Sequence, residues 1–284
     1  MKTAIISGKG GTGKSSITSA LVSLSKDTLT LDCDVDASNL YLIFDSKTTD
    51  KEEFLSGQFA KVDPSKCNGC GICKDACKFD AIKLENGKAN IMEVSCDGCG
   101  LCSKLCPQGA IKNYNSGNSY IYSGNFRYGR IIYGKMAPGD ENSGKLINRL
   151  REIADDLCEK ENIPNQILDG PPGIGCPVIS SLTGIDRVII VTEPSLSGIS
   201  DFKRAYELAK SFTDKIYLII NKYDLDFKNT SDIEKYCNSI GIKVIGKLPF
   251  DRKMVDAMIH QQSIIEYDPA NQCSIEIKKM VDFL

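Results

Sequence analysis

The chain has 284 residues, 42% hydrophobic and 25% charged, an ordinary composition for a globular protein, with length for one large α/β domain or two smaller ones. A formal net charge of −2 leaves no positive excess for wrapping nucleic acid, and no stretch reads as a membrane span or secretory leader. No nucleic-acid or membrane partner and a cytoplasmic address are therefore expected, and in a reducing cytosol thirteen cysteines beside a single histidine, His260, favour thiolate-bound metal over disulfides.

The chain opens on an apolar run, Thr3 to Ser7, that reads as a buried strand, and a helical pattern follows from Lys14 to Lys26. Between them Gly8-Lys9-Gly10-Gly11-Thr12-Gly13-Lys14-Ser15 has the spacing G-x-x-x-x-G-K-[ST], in the strand–loop–helix context of a phosphate loop. Glycines let the backbone curl so that its N–H groups face phosphate oxygens, and the helix N-terminus adds positive potential. Gly8, Lys9, Gly10, Gly11, Thr12, Gly13, Lys14, Ser15 and Ser16 are thus the expected nucleotide cradle. Lys14 would reach the β- and γ-phosphates, and the Ser15 hydroxyl would ligate Mg²⁺.

A second strand, Thr28 to Asp32, ends in the acidic turn Asp32-Cys33-Asp34-Val35-Asp36. From Gln58 to Lys112 the texture changes, because eight of the thirteen cysteines crowd there among short turns. They form two similar runs, Cys67-x-x-Cys70-x-x-Cys73-x-x-x-Cys77 and Cys96-x-x-Cys99-x-x-Cys102-x-x-x-Cys106-Pro107. This is the bacterial ferredoxin spacing, given twice, in which three close cysteines serve one cluster and the fourth turns to the other. Two 4Fe–4S clusters are expected, one on Cys67, Cys70, Cys73 and Cys106, the other on Cys96, Cys99, Cys102 and Cys77. Lys78 stands where proline usually follows the first run. Zinc would ask for paired C-x-x-C units at longer gaps.

After this segment a Tyr- and Gly-rich stretch, Tyr120 to Tyr133, alternates like a hairpin. Strands are then expected at Gln166–Leu168, Arg187–Thr192, Lys215–Asn221 and Lys243–Leu248, and helices at Gly144–Lys160, Gly198–Phe212, Thr230–Ile240 and Ser274–Leu284. Short apolar strands alternating with amphipathic helices predict an α/β fold, a mostly parallel sheet with helices on both faces. The cysteine segment interrupts that rhythm. Residues 1–57 and 113–284 are therefore expected to form a P-loop ATPase domain, with 58–112 as an inserted ferredoxin-like domain.

The second lysine of the loop, Lys9, makes the stretch Lys-Gly-Gly-Thr-Gly-Lys-Ser. It resembles the loop of the MinD/ParA/Mrp and nitrogenase-iron-protein ATPases, and the resemblance extends over most of the chain outside the cysteine segment. It implies a SIMIBI-type P-loop fold, ATP/ADP with Mg²⁺ as ligands, and a nucleotide-dependent homodimer in which Lys9 reaches the partner subunit's phosphates. It further implies that Asp34, with Asp36 as a second candidate, orders Mg²⁺ and the attacking water. Asp169, followed by Gly-Pro-Pro-Gly, resembles the Walker B aspartate, and Asn221 would contact adenine. Lys9, Lys14, Asp34 and Asp169 are thus the candidate catalytic set. An aspartate ending a strand can equally cap a turn, and Asn221-Lys222-Tyr223-Asp224 also fits the guanine-reading N-K-x-D pattern, so ATP and GTP both stay open on the residues alone.

Cys33, Cys158, Cys237 and Cys273 read as buried structural thiols. Cys176 lies seven residues after Asp169, at a spacing similar to a cluster ligand of the nitrogenase iron protein, but a cluster shared between subunits needs a second cysteine and the segment Pro138 to Gly144 offers none, so no bridging cluster is expected. As a whole the chain resembles the MinD-superfamily ATPases that contain an inserted ferredoxin domain. That implies an ATP-hydrolysing iron–sulfur protein coupling nucleotide state to electron transfer with a redox partner protein. Two other readings stand beside it. One is an Mrp-like carrier delivering clusters to an acceptor, although no C-x-x-C follows Cys106. The other is a MinD-like positioning ATPase, against which the C-terminal helix, with Glu276, Lys278, Lys279 and Asp282, offers anionic lipid no net positive charge.

Overall fold

The computed structural model describes every residue except Ser56, Ser116, Asn118, Pro138, Gly139 and Glu141. Three of those six belong to the segment from Pro138 to Gly144, which carries no cysteine. The described chain divides into two compact units: residues 1–52, 120–135 and 143–284, and residues 53–119 with 136–142.

The strands in chain order are β1 (Lys2–Ser7), β2 (Thr28–Asp32), β3 (Lys47–Phe54), β4 (Gln58–Val62), β5 (Ile82–Glu85), β6 (Lys88–Ile91), β7 (Ile111–Asn115), β8 (Ser119–Phe126), β9 (Gly129–Lys135), β10 (Asn165–Pro172), β11 (Arg187–Thr192), β12 (Ile216–Asn221) and β13 (Lys243–Leu248). The larger unit is built on a sheet ordered β13-β12-β11-β1-β10-β2-β9-β8-β3. Every pairing from β13 across to β9 is parallel, and the hairpin β8–β9 is antiparallel. The α/β, mostly parallel architecture is therefore as the alternation of strand and helix predicts.

The central strands read as unbroken apolar runs because both faces of the sheet are covered. Ile5, Ile131, Ile167, Ile189 and Ile219 share one core with Ile17 and Leu21 of the helix Lys14–Leu24. The intervening Ile6, Ile132, Leu168 and Ile190 are equally buried, and the pleat turns them to the opposite face. β3 escaped the sequence reading for the converse reason. It runs Lys-Thr-Thr-Asp-Lys-Glu-Glu-Phe along the sheet edge, exposed at all but its last residue, so it has no buried face to impose a period.

At the C-terminus the expected long helix is shorter, Gln272–Lys278, followed by a 3₁₀ turn at Val281–Phe283. Its apolar side is used up, since Cys273, Ile277 and Met280 are fully buried in the same core as Leu248 and Ile264. No helix among the described residues is long and apolar enough to cross a membrane.

The smaller unit pairs β4 with β7 and β5 with β6, both antiparallel. The helices Ile72–Ala76 and Leu101–Leu105 each follow a glycine in the left-handed region, Gly71 at φ 83° and Gly100 at φ 71°. Its core is thin, Ala60, Cys73, Ile82, Ala89 and Ile111, with Cys67, Cys77, Cys96, Cys102 and Cys106 packed against it.

Candidate functional site

Parallel strands deliver their C-terminal ends to one edge of the sheet, and the loops that leave them carry the polar groups. Ser7 ends β1 with its hydroxyl donating to the Lys9 carbonyl at 2.8 Å. Two glycines are needed by contact. A Cβ on Gly8 would stand 2.3 Å from the Asp201 carbonyl oxygen, and one on Gly13, whose φ is 87°, would stand 2.3 Å from Asn221 Nδ2. The helix that follows starts at Lys14 with no side chain capping it and no acid in its first turn. Its leading N–H groups thus have no anionic competitor from their own turn. The Thr12 hydroxyl in the same loop is buried without a hydrogen-bond partner, a polar demand that a phosphate oxygen could meet.

Asp169 is the hub of this edge. Its Oδ1 lies 2.9 Å from Lys14 Nζ and accepts from the Thr18 hydroxyl at 2.7 Å, while its Oδ2 accepts from the Ser15 hydroxyl at 2.6 Å. Lys14 and Asp169 are 6% and 0% exposed, so the pair is held away from water, where its geometry and hydrogen bonds matter most. Thr18 went unnoticed in the sequence, although it lies one turn beyond Lys14 on the same helix face.

Parallel pairing of β10 with β2 sets Asp169 directly beside Asp32. Asp32 is fully buried, and its Oδ2 accepts the N–H groups of Asn39 at 2.9 Å and Leu40 at 3.0 Å, while its Oδ1 takes that of Asp34 at 3.2 Å. Burial, and then the Asp169 charge, push the Asp32 carboxyl up to about 7. Asp32 is therefore the residue that pins the acidic turn. Asp34 is half-buried, and its carboxyl is raised by that burial, lowered by Lys14 and raised by Asp169; Asp36 is exposed.

Lys9 turns towards the loop after β11. Its Nζ lies 2.7 Å from Glu193 Oε1 and donates to the hydroxyls of Ser195 at 3.1 Å and Ser197 at 2.9 Å. Glu193 Oε2 takes Lys222 at 3.0 Å, and Lys222 also donates to the Gly11 carbonyl at 2.9 Å. Burial alone would raise the Glu193 carboxyl, but the hydrogen bonds from Lys9 and Lys222 hold it below its usual range. Asn221, at the end of β12, donates from Nδ2 to the Thr12 carbonyl at 2.7 Å, so it is tied to the phosphate loop. Ser16 faces the other way and donates to Met258 Sδ at 2.9 Å. Glu193, Ser195 and Ser197 were missed, and Lys222 entered only as part of the N-K-x-D stretch, though the polar residue just after each apolar strand was the available signal.

The eight clustered cysteines surround two separate cavities in the smaller unit. One, of about 340 Å³ including its opening, is lined by Cys67, Cys70, Cys73 and Cys106. The other, of about 380 Å³, is lined by Cys77, Cys96, Cys99 and Cys102. Among the described residues no three Cys, His, Asp or Glu side chains converge as the ligands of a single ion would. Each cavity has four thiols on its wall. The walls supply backbone donors to sulfur: Ala89 N–H to Cys67 Sγ at 3.4 Å, Ala110 N–H to Cys106 Sγ at 3.3 Å and Ala60 N–H to Cys96 Sγ at 3.5 Å. The N–H groups of Ala89 and Gly69 hold the Cys67 thiol below its usual range.

The remaining thiols are placed elsewhere. Cys33, Cys237 and Cys273 are buried, Cys158 is half-buried with its Sγ 3.4 Å from Gln166 Nε2, and Cys176 is exposed at the start of the helix Cys176–Leu182.

Comparison with known proteins gives four findings. The family model described as the CobQ/CobB/MinD/ParA nucleotide binding domain matches residues 3–264. An uncharacterized protein of Methanocaldococcus jannaschii is 36% identical over 287 residues, covering 100% of this chain and 96% of that one. The iron-sulfur cluster carrier protein of Pyrococcus furiosus is 23% identical over 308 residues, covering 100% of this chain and 86% of its own. Among solved structures, the septum site-determining protein MinD complexed with Mg-ADP, from Pyrococcus horikoshii, superposes with a TM-score of 0.58 at 16% identity, covering 99% of this chain and 94% of that one, which is a likeness of fold.

Proposed function

This chain belongs to the CobQ/CobB/MinD/ParA nucleotide-binding family, and from that footing we propose that it is an ATPase whose nucleotide state governs electron transfer through two 4Fe–4S clusters. The observation that carries the redox half is the division of eight cysteines into two sets of four, each around its own cavity, with Cys77 and Cys106 exchanged between the runs. The inserted cysteine segment is then a ferredoxin-like domain, and the clusters, when bound, accept and release single electrons.

On the nucleotide side the residues divide the work. Backbone N–H groups from Gly8 to Ser16 and the Lys14 ammonium bind the phosphates, which draws Lys14 from Asp169 toward the γ-phosphate. The Ser15 hydroxyl and the neighbouring Asp169 would hold Mg²⁺, which neutralises phosphate charge when present. Asp34, half-buried beside Lys14 and Asp169, orients the attacking water. Lys9 acts in a nucleotide-dependent homodimer, leaving Glu193 to meet the partner subunit's phosphates, and closure carries the turn pinned by Asp32 with it. A nucleotide can drive such a change only by binding the closed form better than the open one. Adenine is favoured over guanine by the likeness to the MinD protein complexed with Mg-ADP.

An anaerobic redox titration followed by EPR, with and without Mg²⁺ and a non-hydrolysable ATP analogue, tests the reading. Two cluster signals whose midpoints move with nucleotide are expected. Two signals indifferent to nucleotide would uncouple the halves.

The second reading, a carrier that hands a cluster to an acceptor protein, draws on the likeness to the cluster carrier of Pyrococcus furiosus. It predicts loss of iron from this chain to an apo-ferredoxin in the presence of ATP, where an electron-transfer protein keeps its iron.

A further inference from the structure

The two cysteine sites match at two contacts, and against that match a difference between them stands out. At the first, Cys67 Sγ accepts the Ala89 N–H at 3.4 Å, and a Cβ on Gly69 would stand 2.1 Å from the Gly87 carbonyl oxygen. At the second, Cys96 Sγ accepts the Ala60 N–H at 3.5 Å, and a Cβ on Gly98 would stand 1.9 Å from the Gln58 carbonyl oxygen. The stretch Gly87-Lys88-Ala89 therefore occupies at one site the place that Gln58-Phe59-Ala60 occupies at the other. Between the two matched contacts sits a cation in one case and an aromatic ring in the other.

Lys88 is half-buried, its ammonium donates to the Cys67 carbonyl oxygen, and it makes no ion pair among the described residues. Its positive charge is thus held at the ligand loop without a counter-charge of its own. Phe59 is also half-buried and lies beside Tyr114, ring centroids 6.3 Å apart. The nearest cation to that ring, Lys61 at 4.7 Å, is paired with Glu93 at 3.1 Å. The first site also has the extra N–H···S contact from Ala110 to Cys106 at 3.3 Å.

We propose that Lys88 makes the site of Cys67, Cys70, Cys73 and Cys106 the higher-potential member of the pair, so that the first electron given to the chain resides there. The proposal rests on the reading of the eight cysteines as two 4Fe–4S sites. Reduction adds one negative charge to a cluster already surrounded by four thiolates, with no bond made or broken. A fixed cation and N–H dipoles stabilise the reduced form, and an apolar ring in the same place withholds that help. Pairs of clusters without such a difference would share the electron evenly. Here it is localised at the site beside Lys88.

The test is a dithionite titration of the full chain, followed anaerobically by EPR, with iron and sulfide counted in each sample. Two separate midpoints are expected in the unaltered chain, and loss of the higher one in Cys106→Ala assigns it. Lys88→Met should lower that midpoint alone by on the order of a tenfold change in electron partition, about 59 mV for a one-electron couple. Phe59→Lys should raise the lower midpoint, and it decides the matter should Lys88→Met fail to load. Two loaded clusters with unmoved midpoints in these variants, or the higher midpoint surviving Cys106→Ala, would overturn the role of Lys88. Fewer than two clusters in the unaltered chain would overturn the two-cluster reading beneath it.

Discussion

Glu193 holds Lys9: the Lys9 ammonium lies 2.7 Å from Glu193 Oε1, while Glu193 Oε2 takes Lys222 at 3.0 Å. One carboxylate thus ties the lysine that reads as the trans-acting residue of the loop to the lysine that grips the loop's Gly11 carbonyl at 2.9 Å. In this arrangement Lys9 is occupied within its own subunit, and crossing to a partner means giving up Glu193, Ser195 and Ser197.

Replacing the carboxylate should therefore ease dimer formation. For Glu193→Gln we expect the nucleotide-dependent dimer to form about fivefold more readily, since a partly exposed ion pair is worth about 1 kcal/mol. Sedimentation with an ATP analogue reads this directly. Weaker dimerisation in the variant would mean that Glu193 supports the closed state instead.

Lys14→Ala should cut ATP hydrolysis by about a hundredfold or more, as loss of a charge-stabilising donor does. It also leaves the buried Asp169 carboxylate without its cation, a change that costs about 3–5 kcal/mol in comparable pairs. Iron content should not change, because the eight clustered cysteines all lie in the other compact unit. Phosphate release, thermal melting and iron analysis on one preparation check all three; hydrolysis at the original rate would end the assignment of the phosphate loop.

Asp32 is expected to matter more to the acidic turn than its exposed neighbour Asp36 does. Asp32→Ala strands the N–H groups of Asn39 and Leu40, at about 1–3 kcal/mol for a buried unpaired donor. Asp32→Asn keeps an acceptor and should lose much less. Urea midpoints for the two variants should separate clearly, and equal midpoints would show that the pinning contributes little.

Glu266 gives a pH prediction with a definite sign. Burial would raise its carboxyl, but Arg127 and the Ser263 N–H, which donates at 2.7 Å within the cap of the helix Ile264–Tyr267, hold it below its usual range. A depressed carboxyl contributes stability above its unfolded value and loses it as pH falls through the folded one. Glu266→Gln should thus cost about 1–2 kcal/mol at neutral pH, with the gap to the unaltered chain closing below about pH 4. Melting curves from pH 3 to 7 test it, and a gap constant across that range would rule out the ionic contribution.

Cys106→Ala should remove about half of the iron and Cys77→Ala the other half, each with a different EPR signal, because the cavities share no cysteine. Loss of both clusters in either variant would mean that the smaller unit folds only when fully loaded.

Spacing along the chain determined a good deal of this protein. The phosphate loop, the helix from Lys14 and the parallel strands were legible because each is a local pattern: glycines where the backbone must curl, and apolar runs where both sheet faces are covered. The two sets of four cysteines were legible as a spacing, and each set lines one cavity. The edge strand β3 was not, having no buried face to leave a period in its residues. Only the tertiary structure decided that Asp32 pins the acidic turn, that Thr18 joins Ser15 on Asp169, that Glu193 holds Lys9, and that Lys88 and Phe59 stand at matching places. Those pairings join residues from different strands and loops: β10 beside β2 sets Asp169 next to Asp32, β10 beside β1 brings it to the helix that carries Ser15 and Thr18, and β1 beside β11 brings Lys9 to Glu193. Contacts of that kind are set by where elements pack, which local spacing does not encode.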